Sequence, residues 1–147
     1  MSISPNPTPN DNRLPSGGVP LEEHEIEFRV RYKETDAMGF VHHSNYFTYF
    51  EMGRTEMLRA SGVDYRHLEE QGLFMVVVRI NCRFHKPARY DDLLRLLTRT
   101  TRVGAAKIEH AYQIFRGEEL LTEAASVLAC LDRQGQVQRV PEWMHTE

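Results

Sequence analysis

Apolar residues change their period once in this chain, near residue 44, and that change limits the folds open to it. Over residues 24–32 apolar and polar positions alternate, with Ile26, Phe28 and Val30 on one side and Glu27, Arg29 and Arg31 on the other. Period two marks a strand buried on one face. From Tyr46 the spacing becomes helical: Tyr46, Phe50, Gly53 and Met57 recur on one stripe, which Phe47 and Leu58 widen. Glu51, Arg54, Glu56 and Arg59 fill the polar side, with Glu51 and Glu56 expected to be solvated or paired with the two arginines. Ser44 and Asn45 are helix-capping types ahead of the stripe, and Ser61-Gly62 supplies a left-handed stop. Asp64 is placed to cap a short second helix ending at Gly72.

After Gly72 the period returns to two. Phe74, Val76, Val78, Ile80, Cys82 and Phe84 would share one face of a strand, with Arg79, Asn81, Arg83 and His85 on the other. Further strands are expected over residues 93–103, 107–116 and 120–132, with a last extended piece over 137–140. Short turns between them imply antiparallel neighbours. One long helix with an apolar stripe needs a sheet to cover it. The expected fold is therefore α+β, an antiparallel sheet of about five strands wrapped around one long central helix. Val77, Leu97 and Thr101 on the opposite sheet face suggest packing between subunits.

The 147 residues suit one domain. Residues 1–22 are rich in Pro, Asn, Ser and Gly and lack the apolar core of a signal peptide, so they read as a flexible tail. Residues 23–147 form the domain. The formal net charge of -3 argues against the broad basic footprint of a nucleic-acid binder. No run approaches the roughly 18 to 20 apolar residues of a membrane span. Cys82 and Cys130 have no CxxC spacing and lie in apolar, strand-like runs. They read as buried free thiols rather than zinc ligands, which fits a cytoplasmic protein.

Chemistry concentrates in residues 32–46. Asp36 lies in a loop just before the longest helix. Free N–H groups at a helix start and the helix dipole stabilise negative charge. An acyl carbonyl placed there would be polarised, and a nearby carboxylate could align water or attack directly. Gly39 would let backbone approach a substrate. On these residues alone, Asp36 reads first as a cap or turn former, and His43 first as a solvent-facing residue at the helix start.

The pattern Tyr32-x-x-Thr35-Asp36-x-x-Gly39, then His43 and Tyr46, then Phe50-Glu51 and Arg54-Thr55-Glu56, resembles the 4-hydroxybenzoyl-CoA thioesterase family. The YbgC-type acyl-CoA thioesterases are the branch it looks most like. The similarity continues through residues 77–79, Pro87-Ala88-Arg89 with Asp91-Asp92, and Glu123-Ala124, and covers roughly residues 25–141. The resemblance implies the hotdog fold, and dimers or tetramers with active sites between subunits. It implies an acyl-CoA or acyl carrier protein thioester as substrate. No cofactor is implied apart from the CoA carried by the substrate. It assigns Asp36 as the catalytic carboxylate, general base or nucleophile, with His43 contributing an oxyanion-binding amide and an assisting side chain. Tyr46 reads as core material of the apolar stripe, with its hydroxyl free to line the site. Met38 departs from the small residue common there and would reshape the acyl pocket; His42 departs from a common aromatic. His42 is expected to point away from His43.

The phosphates of CoA call for cations, and Arg102 and Lys107, flanking the Gly104 turn, are the preferred pair among Arg83, Lys86, Arg89, Arg102 and Lys107. Two other readings stay open. One is a hotdog enoyl-thioester hydratase or dehydratase, whose usual Asp-x-Asn-x-x-His pattern is missing from this sequence. The other is a non-catalytic acyl-thioester-binding protein.

Overall fold

The computed structural model describes residues 20–63 and 65–145. Most of the expected tail, and the expected helix cap at Asp64, lie outside them. Five strands form one antiparallel sheet: β1 (Glu23–Arg29), β2 (Phe74–Phe84), β3 (Leu93–Val103), β4 (Lys107–Arg116) and β5 (Glu119–Leu131), in the order β1-β3-β4-β5-β2. Helix α1 (Ser44–Ala60) lies against β1 and β3, and the short α2 (Tyr65–Glu70) follows it. The expected helix wrapped by an antiparallel sheet is what forms. The expected extended piece after Gly135 is reduced to a single bridge from Val137 to Leu131.

Gly53 sets how closely the helix meets the sheet. A methyl group at this position would fall well inside contact distance of Thr98 Oγ1, and 2.9 Å from Leu96 Cδ2. Both residues are buried on β3. The missing side chain is thus the reason the helix backbone can rest on the strand. Around this contact Tyr46, Tyr49 and Phe50 pack with Val30, Leu94, Leu96, Tyr112, Ile114 and Leu121 in the main core. The helix ends as expected, with Gly62 at φ 98° and Val63 N–H donating to the Leu58 carbonyl.

Two expectations are corrected. The even-numbered face of β2 is not continuous. Its register against β5 slips between Val77 and Arg79, so one extra residue enters the strand. A bulge of this kind exchanges the two faces. Met75 packs inward before it and Ile80 and Cys82 after it, while Val76, Val77 and Val78 are exposed. Arg54 does not sit on the polar side of α1. It is buried, with its guanidinium donating to the Tyr112 hydroxyl at 3.0 Å, while Arg59 pairs with Glu56 as expected.

Gly53→Ala should lower stability by about 1–3 kcal/mol through overpacking, even though alanine favours the helix. Urea denaturation of Gly53→Ala and of Gly53→Ala/Thr98→Ala measures this, and the second change should recover part of the loss. Wild-type stability in the single variant would contradict the close contact.

Candidate active site

The loop ahead of α1 is a small hydrogen-bonded hairpin. Thr35 bridges Val41, the Asp36 amide donates to the Phe40 carbonyl at 2.7 Å, and the Gly39 amide donates to the Asp36 carbonyl at 3.0 Å. Gly39 sits at φ 81°, with open space where a side chain would project. Its glycine is therefore required by the left-handed turn, and not by crowding. The hairpin's second arm pairs with the segment before β3. Val41 N–H donates to the Ala88 carbonyl at 2.8 Å, and Phe40 bridges Arg89, whose guanidinium lies 4.8 Å from the Phe40 ring centre. Asp92 holds that segment by accepting from the Arg89 amide and from Arg116, each at 2.8 Å.

Asp36 is exposed, and its two carboxylate oxygens differ. Oδ1 accepts the amides of Met38 (2.9 Å) and Phe40 (3.2 Å); Oδ2 has no partner among the described residues. The carboxylate is thus oriented through one oxygen and available through the other.

His43 stands at the cap position of α1, and Ser44 and Asn45 lie inside the first turn instead of capping it. The His42 ring does the capping: its Nδ1 accepts the Ser44 amide at 3.2 Å and lies 2.8 Å from the Ser44 hydroxyl. It also stacks on the His43 ring, with centres 4.2 Å apart. The expectation that His42 points away from its neighbour is therefore wrong. A side-chain cap at the helix start draws the ring back over His43. The amides of Asn45 and Tyr46 donate to the carbonyls of His42 and His43, whereas the His43 amide has no acceptor among the described residues. An unpaired N–H at the start of a 17-residue helix is suited to bind developing negative charge.

Glu34 is the residue sequence reasoning missed. It is 5% exposed, yet it joins the loop to the helix. Its carboxylate accepts the Arg31 amide (2.8 Å), the Arg31 guanidinium (3.0 Å) and the Tyr49 hydroxyl (3.1 Å). Its carbonyl accepts the His42 amide and the Asn45 side chain, both at 2.9 Å. Burial acts to raise its pKa, but the hydrogen bonds from Arg31 and Tyr49 outweigh it and hold the carboxyl below its ordinary value. Only the 15-residue separation from Tyr49 in sequence separates this pattern from an ordinary surface glutamate, and no periodicity reveals it.

The other expected residues are dispersed. Met38 is 73% exposed at the hairpin tip. Tyr46 is 2% exposed, edge-on to Tyr49 and Phe84, and belongs to the core beneath the site. Arg102 and Lys107 lie at the far end of β3 and the start of β4. The hairpin meets the other end of β3, about 30 Å away at strand spacing, so one subunit does not bring these cations to Asp36. Arg89 is the cation beside the hairpin.

The Thioesterase superfamily profile matches residues 38–123, more than half of the chain, beginning two residues after Asp36. This chain belongs to the thioesterase superfamily. Acyl-CoA thioester hydrolase YbgC of Escherichia coli O157:H7 is 34% identical over 105 residues, which is 71% of this chain and 78% of that protein. The acyl-acyl carrier protein thioesterase ATL3 of Arabidopsis thaliana is 29% identical over 128 residues, covering 85% of this chain and 67% of that one. Among solved structures, a probable thioesterase from Bartonella henselae superposes with a TM-score of 0.78 at 34% identity, covering 81% of this chain and 99% of the other. The fold is the hotdog fold of these thioesterases.

Because the Glu34 pKa is lower folded than unfolded, the unfolded chain binds more protons as pH falls below about 4.5. The stabilisation from Glu34 is thus present above that pH and lost as pH falls through the folded value. Glu34→Gln should be less stable than wild type at pH 7, and the difference should shrink at pH 3. Chemical denaturation at the two pH values tests this. A difference that does not change with pH would contradict the charged Glu34 anchor.

Proposed function

We propose that the chain hydrolyses an acyl-CoA thioester to the free acid and CoA, with Asp36 acting on water or on the carbonyl carbon and the His43 amide binding the oxyanion. The observation that carries this is the pairing of a half-committed carboxylate with an unpaired amide at the start of α1. As general base, the free oxygen of Asp36 takes a proton from water while its oxygen attacks the thioester carbon. The carbonyl electrons move onto an oxygen held by the His43 amide. They return as the carbon–sulfur bond breaks, and the CoA thiolate leaves to be protonated. As nucleophile, the same oxygen attacks the carbonyl carbon, the carbon–sulfur bond breaks as the CoA thiolate leaves to be protonated, and water opens the resulting anhydride to the free acid and the Asp36 carboxylate. The His43 side chain, stacked on His42, would assist.

The name of ATL3 also supports an acyl carrier protein thioester as substrate. Met38, exposed at the hairpin tip, would meet the acyl group, and Gly39 shapes that turn. Arg102 and Lys107 would bind CoA phosphates only across a subunit boundary. The exposed edge of β2, with Val76, Val77, Val78 and Phe84 uncovered, supports a dimer or tetramer. Among the described residues no helix is long and apolar enough to cross a membrane. Two unbridged cysteines, Cys82 and Cys130, fit a reducing cytoplasm.

Asp36→Asn keeps an oxygen that can accept the Met38 and Phe40 amides, so the hairpin should survive. Thiol release from a panel of short, long and aromatic acyl-CoAs should fall by about 10²- to 10⁴-fold, with an unchanged thermal midpoint. Near-normal release in that variant would contradict the role of Asp36. Water addition to crotonyl-CoA without thiol release would favour a hydratase, and binding without either reaction a non-catalytic protein.

A further inference from the structure

A second concave site lies away from Asp36, beneath the C-terminal half of α1. Its cavity encloses about 70 Å³. Its walls are mostly apolar, with Met57, Met75, Val103 and Trp143 among them, but Arg54 and His110 also line it. Arg54 is 7% exposed and His110 is 6% exposed. Arg54 Nε and His110 Nδ1 are both buried without a hydrogen-bond partner among the described residues.

A guanidinium is always charged, and burying it unpaired is costly unless an anion compensates. The partners of Arg54 are neutral hydroxyls. One terminal nitrogen donates to Tyr112, whose hydroxyl lies 2.6 Å from that of Ser126, and the Tyr65 hydroxyl stands against the same group. Among the described residues no carboxylate pairs with Arg54, and Glu51, one turn earlier, is exposed. His110 adds no competing charge. Burial, reinforced by the Arg54 charge, pushes its pKa down to about 3, so the ring is neutral. The open Arg54 Nε–H is therefore a donor that can meet an anion, in a site whose remaining walls are mostly apolar.

We propose that this cavity binds a short-chain carboxylate, its oxygens on the Arg54 guanidinium and its alkyl chain among Met57, Met75, Val103 and Trp143. Arginine offers a carboxylate two parallel N–H donors, a geometry that an alcohol cannot use. At roughly 10–15 Å³ for each water-sized position, the volume suits a carboxylate with a chain of about three or four carbons. The site shares no residue with the Asp36 hairpin.

Trp143 is the chain's one tryptophan and lines the cavity, so its fluorescence reports on this site. The full-length protein is titrated with sodium butyrate, with butanol and with sodium chloride at matched ionic strength. Butyrate should produce a saturable change in Trp143 emission. Butanol should bind at least about tenfold more weakly, as loss of a charge-assisted pair requires, and chloride should have no saturable effect. Arg54→Met should weaken butyrate by a similar factor and leave butanol nearly unchanged. If that variant fails to fold, the Arg54 Nε–H resonance of the wild-type protein replaces it, and this resonance should shift saturably with butyrate. No saturable response to butyrate, an equal response to butanol, or an unmoved Nε–H resonance would overturn the proposal and leave water as the partner of these atoms.

Discussion

The contact between α1 and β3 at Gly53 governs this fold. A helix carried even one methyl farther from the sheet would lose the packing of Tyr49 and Phe50 on Leu94, Leu96 and Tyr112. Close-packed interiors tolerate such shifts poorly. Since α1 is held along its length, its start is held too. The chain entering that start comes from the end of β1, which pairs with β3 beside the same helix. One packing decision thus fixes where residues 30–43 must run.

Glu34 turns that confinement into a defined geometry. A charge buried without partners would be costly, but here two oxygens meet the Arg31 amide, its guanidinium and the Tyr49 hydroxyl. Tyr49 belongs to the helix core, so the loop is tied directly to the element it precedes. Beyond this anchor the Thr35–Val41 hairpin is held by its second arm, where buried Val41 donates to the carbonyl of buried Ala88. Its exposed tip holds one oxygen of Asp36 and leaves the other accessible. Rigid support and an accessible carboxylate are what a hydrolytic site needs.

Much of the fold was legible because apolar spacing reports burial directly. The stripe from Tyr46 to Met57, the stop at Gly62 and the strand spans of β3 and β4 all follow from it. What was not legible involves residues whose setting is decided by distant partners. Val78 looks like any strand residue until β5 shows that it is the extra one. Arg54 reads as the polar side of a helix, yet Tyr112, 58 residues away, receives it in the interior. At the site, the motif around Asp36 drew attention to the hairpin, but Glu34 and the capping by His42 depend on contacts that spacing does not encode. That Arg102 and Lys107 lie at the end of β3 away from the hairpin was not legible either, because a turn glycine says nothing about which end of the sheet it occupies.

Family membership and fold agree with the chemistry proposed for the hairpin, and the division of work between Asp36 and the His43 amide is the central claim. The most direct test is a crystal structure with a non-hydrolysable acyl-CoA analogue in which a methylene separates the carbonyl from sulfur. The account predicts the analogue's carbonyl oxygen about 2.7–3.1 Å from the His43 amide nitrogen, with Asp36 Oδ2 facing the carbonyl carbon directly or through one water. A carbonyl bound away from the start of α1, or an Asp36 turned from it, would contradict the account.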